Sequence, residues 1–266
     1  MTVVVCAIAK NENKYINDWV NWYLSLGFDK IYLFDNNDAS EEFVGNCIKN
    51  KDFVKIYNKV GIYEERLQTR CYNEFYSDES NYFDWCLFCD IDEFLWGIDN
   101  IKDFLTNDAF KSFEQIRVAW RTFSDSDIIE RDISVPVYED FTNLSENKNL
   151  QKQAKYFVRG GLKDAIMGVH LAYRKDEKYN SVALRSCLPS GNVCISEDEG
   201  IKEDLSNESV YLNHYRTKSL KEFIDQKLNR GDAVKKNRVI GFDYYWNVNK
   251  KTKDKVEYVE KYLRRK

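Results

Sequence analysis

Trp85-Cys86-Leu87-Phe88-Cys89-Asp90-Ile91-Asp92-Glu93-Phe94-Leu95 is an apolar run that breaks abruptly into three carboxylates. Uncharged residues followed by acids describe a strand buried on both faces where it emerges from a parallel sheet. Because side chains alternate along a strand, Asp90 and Asp92 project to one side while Ile91 returns to the core. Ligands of open α/β sheets collect beyond the carboxyl ends of strands, where these oxygens would lie. A hard divalent ion, Mg2+ or Mn2+, takes such oxygens and leaves room for substrate phosphates. The competing reading is that the acids close the strand as turn formers.

Upstream, Val3-Val4-Val5-Cys6-Ala7-Ile8-Ala9 reads as the first buried strand, being too short for a membrane span and lacking the flanks of a secretory signal. Trp19, Val20, Tyr23, Leu24 and Leu26 share one helical face, and Gly27 stops that helix. Lys30-Ile31-Tyr32-Leu33-Phe34-Asp35 is then a second strand, with Asp35 at its carboxyl end. A helix through Phe43 and Ile48, a strand over 54–57 and a helix over 63–76 complete the approach to the acidic run. Alternating strands and helices predict a parallel sheet with crossovers on its faces. No glycine precedes Gly27, so neither a dinucleotide fingerprint nor a phosphate loop follows the first strand.

Composition bounds the rest. A chain of 266 residues, 43% hydrophobic and 32% charged, suits a globular protein with a substantial core, and a net charge of −4 gives no reason to expect nucleic acid. Seven irregularly spaced cysteines argue for a reducing cytoplasm rather than a disulfide framework. Cys86 and Cys89, three apart on a strand, face opposite sides and read as core.

After about Phe104 the pattern loosens into short strands such as residues 115–120 and 155–158. Residues 140–153, rich in Asn, Lys and Glu, read as a mobile loop of the kind that carries acceptor recognition. Helices return over 219–228, after Gly231, and over 253–266. The last has eight basic residues against three acids from Lys250 onward, with Val256, Val259, Tyr262 and Leu263 on one face. That suits peripheral contact with an anionic membrane, and packing on its own domain is the alternative. The expected division is an α/β domain over 1–216 and a helical extension over 217–266. Of the two histidines, His170 is as consistent with a structural role as with a ligand. His214 ends a short strand and precedes Arg216 and Lys218, so it can complete a cation site while the two bases meet phosphate oxygens.

Lys10-Asn11-Glu12, Ile31 to Asn36, Asp90-Ile91-Asp92-Glu93-Phe94 and His214-Tyr215-Arg216-Thr217-Lys218-Ser219, in this order, resemble glycosyltransferase family 92 and the related bacterial family 2-like transferases. The resemblance runs in outline from residue 3 to about 231. It implies a GT-A fold, Rossmann-like with a mostly parallel sheet, a UDP-sugar donor, and Mn2+ or Mg2+ held by Asp90, Asp92 and His214. It also implies that Glu12, Asp35, Asp90, Arg216 and Lys218 border the donor. The acceptor would be a saccharide or lipid-linked saccharide in surface polysaccharide or lipooligosaccharide synthesis at the inner face of the membrane. Trp120-Arg121-Thr122-Phe123-Ser124-Asp125 departs from the pattern, with Ser124 where glycine is expected.

Transfer with inversion needs a base for the acceptor hydroxyl, and Asp125, Asp127 and Asp164 are the candidates from the middle region. Two rival readings remain. One is a metal-dependent phosphohydrolase or nucleotidyltransferase, the other a carbohydrate-binding or adaptor protein suggested by 15% aromatic content.

Overall fold

The computed structural model describes residues 1–175, 181–195, 199–228 and 239–265. Residues 229–238, where the helix expected after Gly231 would begin, and the terminal Lys266 lie outside the described residues, and a short helix follows at Phe242–Trp246. Val3–Ala9 (β1), Lys30–Asp35 (β2), Val54–Asn58 (β3) and Trp85–Phe88 (β4) lie in the order β3-β2-β1-β4, all parallel. The strand bounds read from the first two apolar runs are those observed.

Beyond β4 the sheet becomes mixed. Glu93–Trp96 (β5), Gln115–Thr122 (β6) and Ala154–Arg159 (β7) continue the chain, with β7 antiparallel to both β4 and β6. Ala165–Met167 (β8), Ala172–Arg174 (β9) and Val182–Ala183 (β10) form a small separate sheet. Ser186–Cys187 (β11) runs parallel to β6 and pairs Val193–Cys194 (β12) at the edge. Tyr211–His214 (β13) lies between β6, to which it is parallel, and β5, to which it is antiparallel.

Alternation along β1 divides the core into two layers. Val3, Val5, Ala7 and Ala9 pack with Ile16, Trp19, Val20 and Tyr23 of helix α1 (Ile16–Ser25). Val4 and Cys6 face the other way, packing with Leu67, Cys71, Tyr72, Phe75 and Tyr76 of α3 (Leu67–Glu79), whereas Val44 of α2 (Val44–Cys47) joins the α1 layer. Cys86 and Cys89 fall in different layers, as strand geometry requires, and all seven cysteines are free thiols.

Three elements differ from expectation. α2 is a single turn rather than a helix spanning Phe43 to Ile48, because Ile48 is already extended. α3 starts at Leu67 rather than 63, since Arg66 takes a left-handed conformation (φ 58°) that no helix continues through. Residues 140–153 are a pinned segment, not a free loop. Phe141, Ser145 and Leu150 are buried, and the Gln151 amide bonds both the amide and the carbonyl of Thr122, at 2.7 and 3.2 Å.

Short helices follow the strands: Ile101–Leu105 (α4), Val137–Asp140 (α5), Leu220–Gln226 (α6), Phe242–Trp246 (α7) and Lys253–Leu263 (α8). Leu220, Phe223, Tyr245 and Val259 give the last three a cluster of their own. The layer is nonetheless bolted to the body. Glu222 closes a capping box with Ser219 and also accepts from Tyr15 at 2.6 Å and from Arg131 at 3.1 Å. In α8, Lys255 and Val259 face inward, while the flanking Lys253, Lys261 and Arg264 are exposed. Among the described residues no helix is long and apolar enough to cross a membrane.

Gly97 closes β5 at φ 95°, and a Cβ there would lie 2.1 Å from the Ser209 carbonyl oxygen at the start of β13. Gly97→Ala therefore combines backbone strain with a clash against main chain that cannot yield. It should cost roughly 3 kcal/mol in urea unfolding, and a variant within 0.5 kcal/mol of wild type, on the order of a neutral surface change, would refute this packing.

Candidate functional site

The acidic triplet is a turn between two strands. β4 ends at Phe88, the Glu93 amide donates back to the Asp90 carbonyl at 3.1 Å, and β5 begins at Glu93. Ile91 enters the core while Asp90 and Asp92 line one cavity of about 260 Å3, so the alternation read from sequence survives the turn. The cavity opens at the carboxyl ends of β1 and β4, also bordered by Ile8, Lys10 and Glu12.

Register decides what meets these acids. Because β7 runs antiparallel to β4 with Tyr156 opposite Phe88, Lys155 falls just past the end of β4, beside Asp90. Its ammonium, 0% exposed, lies 2.9 Å from Asp90 Oδ2 and 4.0 Å from Glu93 Oε1. Asp90 Oδ1 accepts from Gln68 of α3 at 2.7 Å. The pairing of β13 with β5 sets His214 opposite Glu93, and His214 Nε2 lies 3.3 Å from Asp92 Oδ1. Asp92 Oδ2 accepts from Lys227, at the end of α6, at 2.7 Å, and the same ammonium donates to the Arg216 carbonyl at 2.5 Å.

Charge states follow from these contacts. Burial works to raise the pKa of Asp90, yet Lys155 holds it below the usual carboxylate value. Burial likewise opposes ionisation of Asp92, but Lys227 and then His214 hold it well below. Glu93 is pushed well above by burial, which Lys155 only partly offsets, so it is a neutral acid. Burial lowers His214, which is neutral. Since Asp92 can only accept, Nε2 carries the proton, and Nδ1 has no hydrogen-bond partner among the described residues.

The remaining lining is polar, cationic and aromatic. Lys10 pairs with Asp38 at 2.7 Å, and Glu64 pairs with Arg70. Arg216 stacks its guanidinium on Tyr244 at 4.6 Å and donates to the Tyr244 hydroxyl at 2.8 Å, with no carboxylate partner among the described residues. Trp120 packs edge-on to His214 at 4.2 Å. Tyr63 is exposed at the rim. His170 sits with Nδ1 3.0 Å from the Ala154 carbonyl. A carbonyl only accepts, so Nδ1 bears the proton and Nε2 keeps a lone pair. Burial and then Lys155 push His170 down to about 4.

Of the residues expected to form the site, Glu12, Asp90, Asp92, His214 and Arg216 share this cavity. Lys218 stands behind it, 3.2 Å from Glu12 and over the Tyr15 ring, so it orients Glu12 rather than facing the opening. Asp35 does not reach the cavity. It is wholly buried, with Oδ1 accepting the Asn37 amide at 3.0 Å and Oδ2 the Val44 amide at 2.9 Å, a cap for α2. Asn36 lines the cavity in its place. The three base candidates also lie elsewhere. Asp125 is buried against Tyr245 and Lys255, Asp127 shares Lys255 at 2.8 Å, and Asp164 occupies an exposed turn before β8. The first two have been spent on anchoring α7 and α8.

Sequence reading missed Lys155, Lys227, Gln68, Tyr244 and Trp120, and left His170 open. Lys155 carries one signal: it lies on the same strand face as Phe157, a core residue, so its charge had to be buried.

The expected metal would have to use this donor set. All four oxygens of Asp90 and Asp92 already meet a donor, two of them ammonium groups, and the His214 nitrogen nearest Asp92 is the one that bears a proton. Among the described residues no cluster of three or more His, Cys, Asp or Glu could hold a metal ion. The residues as placed do not fit Mn2+ or Mg2+.

No family model matches the chain, and no curated protein matches its sequence. Among solved structures, 81% of the chain aligns with S. aureus TarS 1-349, at TM-score 0.44 and 12% identity, covering 60% of that chain. The longer S. aureus TarS gives the same score and identity with 37% of its chain covered. HddC from Yersinia pseudotuberculosis aligns with 60% of this chain and 77% of its own, at TM-score 0.34 and 10% identity. The chain thus spans less than two thirds of either TarS structure, and likeness at this level carries no information on activity.

A histidine with its pKa at about 4 when folded and 6.5 when unfolded binds fewer protons in the native state. The stability it contributes is full above pH 6.5, falls as pH falls, and is gone below about 4, amounting to roughly 3 kcal/mol. His170→Gln should therefore show a flatter loss of urea stability than wild type between pH 7 and 4.5; parallel curves would refute the buried neutral imidazole.

Proposed function

We propose that this chain is a glycosyltransferase. Its donor is a nucleoside-diphosphate sugar, taken as a UDP-hexose carrying galactose or glucose, and its acceptor is the hydroxyl of a glycan or lipid-linked saccharide in surface polysaccharide or lipooligosaccharide synthesis. The observation that carries the reading is Arg216: a cation lining the cavity, beside the Asp90 to Asp92 turn, that no carboxylate among the described residues neutralises. A diphosphate is the complementary ligand, because a guanidinium presents paired donors to phosphate oxygens. The exposed ring of Tyr63 offers a surface on which a nucleobase can stack. The donor base, hexose identity and inversion rest on the family resemblance.

Transfer breaks the bond between the anomeric carbon and the diphosphate oxygen, and the bonding electrons leave with the diphosphate. Arg216, held in place by Tyr244, meets that growing charge as a preoriented cation. The acceptor oxygen forms the new bond to the anomeric carbon and gives its proton to a base. His170 Nε2 is the acceptor we assign, since its tautomer is set by the Ala154 carbonyl, and the negative charge of a bound diphosphate would raise its basicity. Glu12, fixed by Lys218, is placed to accept a hydrogen bond from ribose or sugar hydroxyls. The basic outer side of α8 supplies the proposed contact with an anionic membrane on which a lipid-linked acceptor is held.

Arg216→Ala should weaken UDP binding by about 10- to 100-fold in titration calorimetry, the worth of a charged hydrogen bond; unchanged affinity would remove the central support for this reading. His170→Gln should lower kcat by roughly two to four orders of magnitude with donor KM little altered, whereas a change confined to KM would assign it to binding instead.

A further inference from the structure

The Asp90 to Asp92 turn has the shape of a metal seat, but its negative charge is already balanced inside the fold. We propose that this chain binds its nucleotide diphosphate without a divalent metal, with Lys227 on Asp92 supplying the positive charge beside Arg216. The inference rests on the diphosphate reading above and concerns how that ligand is held.

Two lysines from distant parts of the chain do the balancing. Lys155 is immobile, enclosed on β7 between two paired strands, with its ammonium 2.9 Å from Asp90 Oδ2. Lys227 is different, because it lines the cavity and bridges Asp92 Oδ2 to the backbone carbonyl of Arg216. The bridge sets an ammonium beside the main chain of the residue whose guanidinium faces the same space. Arg216 has no carboxylate partner among the described residues, and the Lys227 ammonium, paired with Asp92, adds a donor beside it; a lysine with an arginine fork is a recurring pair for phosphate oxygens.

A divalent ion bound to both carboxylates would have to lie next to both ammonium groups. Coulomb repulsion at such distances is weakly screened away from bulk water. The ion would therefore need to displace Lys227 from Asp92 and leave Lys155 in place against it. His214 does not relieve the conflict, since its nitrogen facing Asp92 is a donor. Asp90 and Asp92 act instead as positioning residues. Asp92 fixes the Lys227 ammonium, and Asp90 neutralises Lys155 so that the turn can be buried.

The test is thermal unfolding and titration calorimetry of the full chain with UDP, and with ADP and GDP in case the base differs. Each is run in EDTA and again in Mn2+. A shift in Tm of equal size in EDTA and in Mn2+ is expected, with affinities within twofold. Lys227→Met should weaken binding in EDTA at least tenfold, while Lys227→Arg, which keeps the charge, should retain most of it. Manganese titrated alone into wild type should show no tight site by its electron paramagnetic resonance signal. Nucleotide binding seen only with Mn2+ would overturn the inference and leave the diphosphate reading standing. Absence of binding by every nucleotide in both conditions would overturn both. Wild-type affinity in Lys227→Met would remove the lysine from the site. Should Lys227→Met fail to fold, the wild-type comparison of EDTA with Mn2+ decides alone.

Discussion

Asp90, Asp92 and Glu93 enter the protein interior within four residues, and the compensation of their charge is the constraint that the surrounding architecture answers. Moving an isolated carboxylate out of water costs several kcal/mol after relaxation, so each needs a cation, a set of donors or a proton. The chain uses all three. Lys155 and Gln68 serve Asp90, Lys227 and His214 serve Asp92, and Glu93 keeps its proton. Every one of these partners arrives from a different element, so the turn can be buried only when β7, α3, β13 and α6 are all in place.

That dependence explains the unusual middle of the sheet. A sheet that stayed parallel past β4 would present the amino end of the next strand at the far edge. The antiparallel β7 brings its amino end to the same edge as the carboxyl end of β4, which is how Lys155 reaches Asp90. β13, wedged between β5 and β6, delivers His214 opposite Glu93 and then turns into Arg216 and Lys218. The helices after residue 216 complete the arrangement through Glu222, which accepts from Tyr15, and through Lys227, which pairs with Asp92 at the cavity.

The same economy of buried charge accounts for the acids that looked catalytic and are not near the cavity. Asp125 and Asp127 share Lys255 and fasten α8 to the loop after β6. Asp35 ends a strand as expected, but both of its oxygens are consumed by backbone amides. A carboxylate at a strand end can face solvent, ligand or the next turn of main chain. Local pattern does not distinguish these, because the choice is made by the path of the loop that follows. Conversely His170, one of only two histidines in the chain, takes its place through a carbonyl of β7 that no motif marks.

Sequence alone determined the first two strands, the α1 face, the placement of Cys86 and Cys89 in opposite layers, and the emergence of Asp90 and Asp92 on one side. These follow from periodicity, and periodicity is a local property of the backbone. The grouping of the acids with His214 and Arg216 was legible too, since strand ends of an α/β sheet converge by topology, and Glu12 was added by the family resemblance. What only the tertiary structure decided is the charge of the site. Lys227 is 135 residues from Asp92 in sequence, and its contact depends on the register of β13 and the angle of α6. Such pairings belong to long-range packing, where energy depends on distance and desolvation, and neither quantity is written in any run of neighbouring residues.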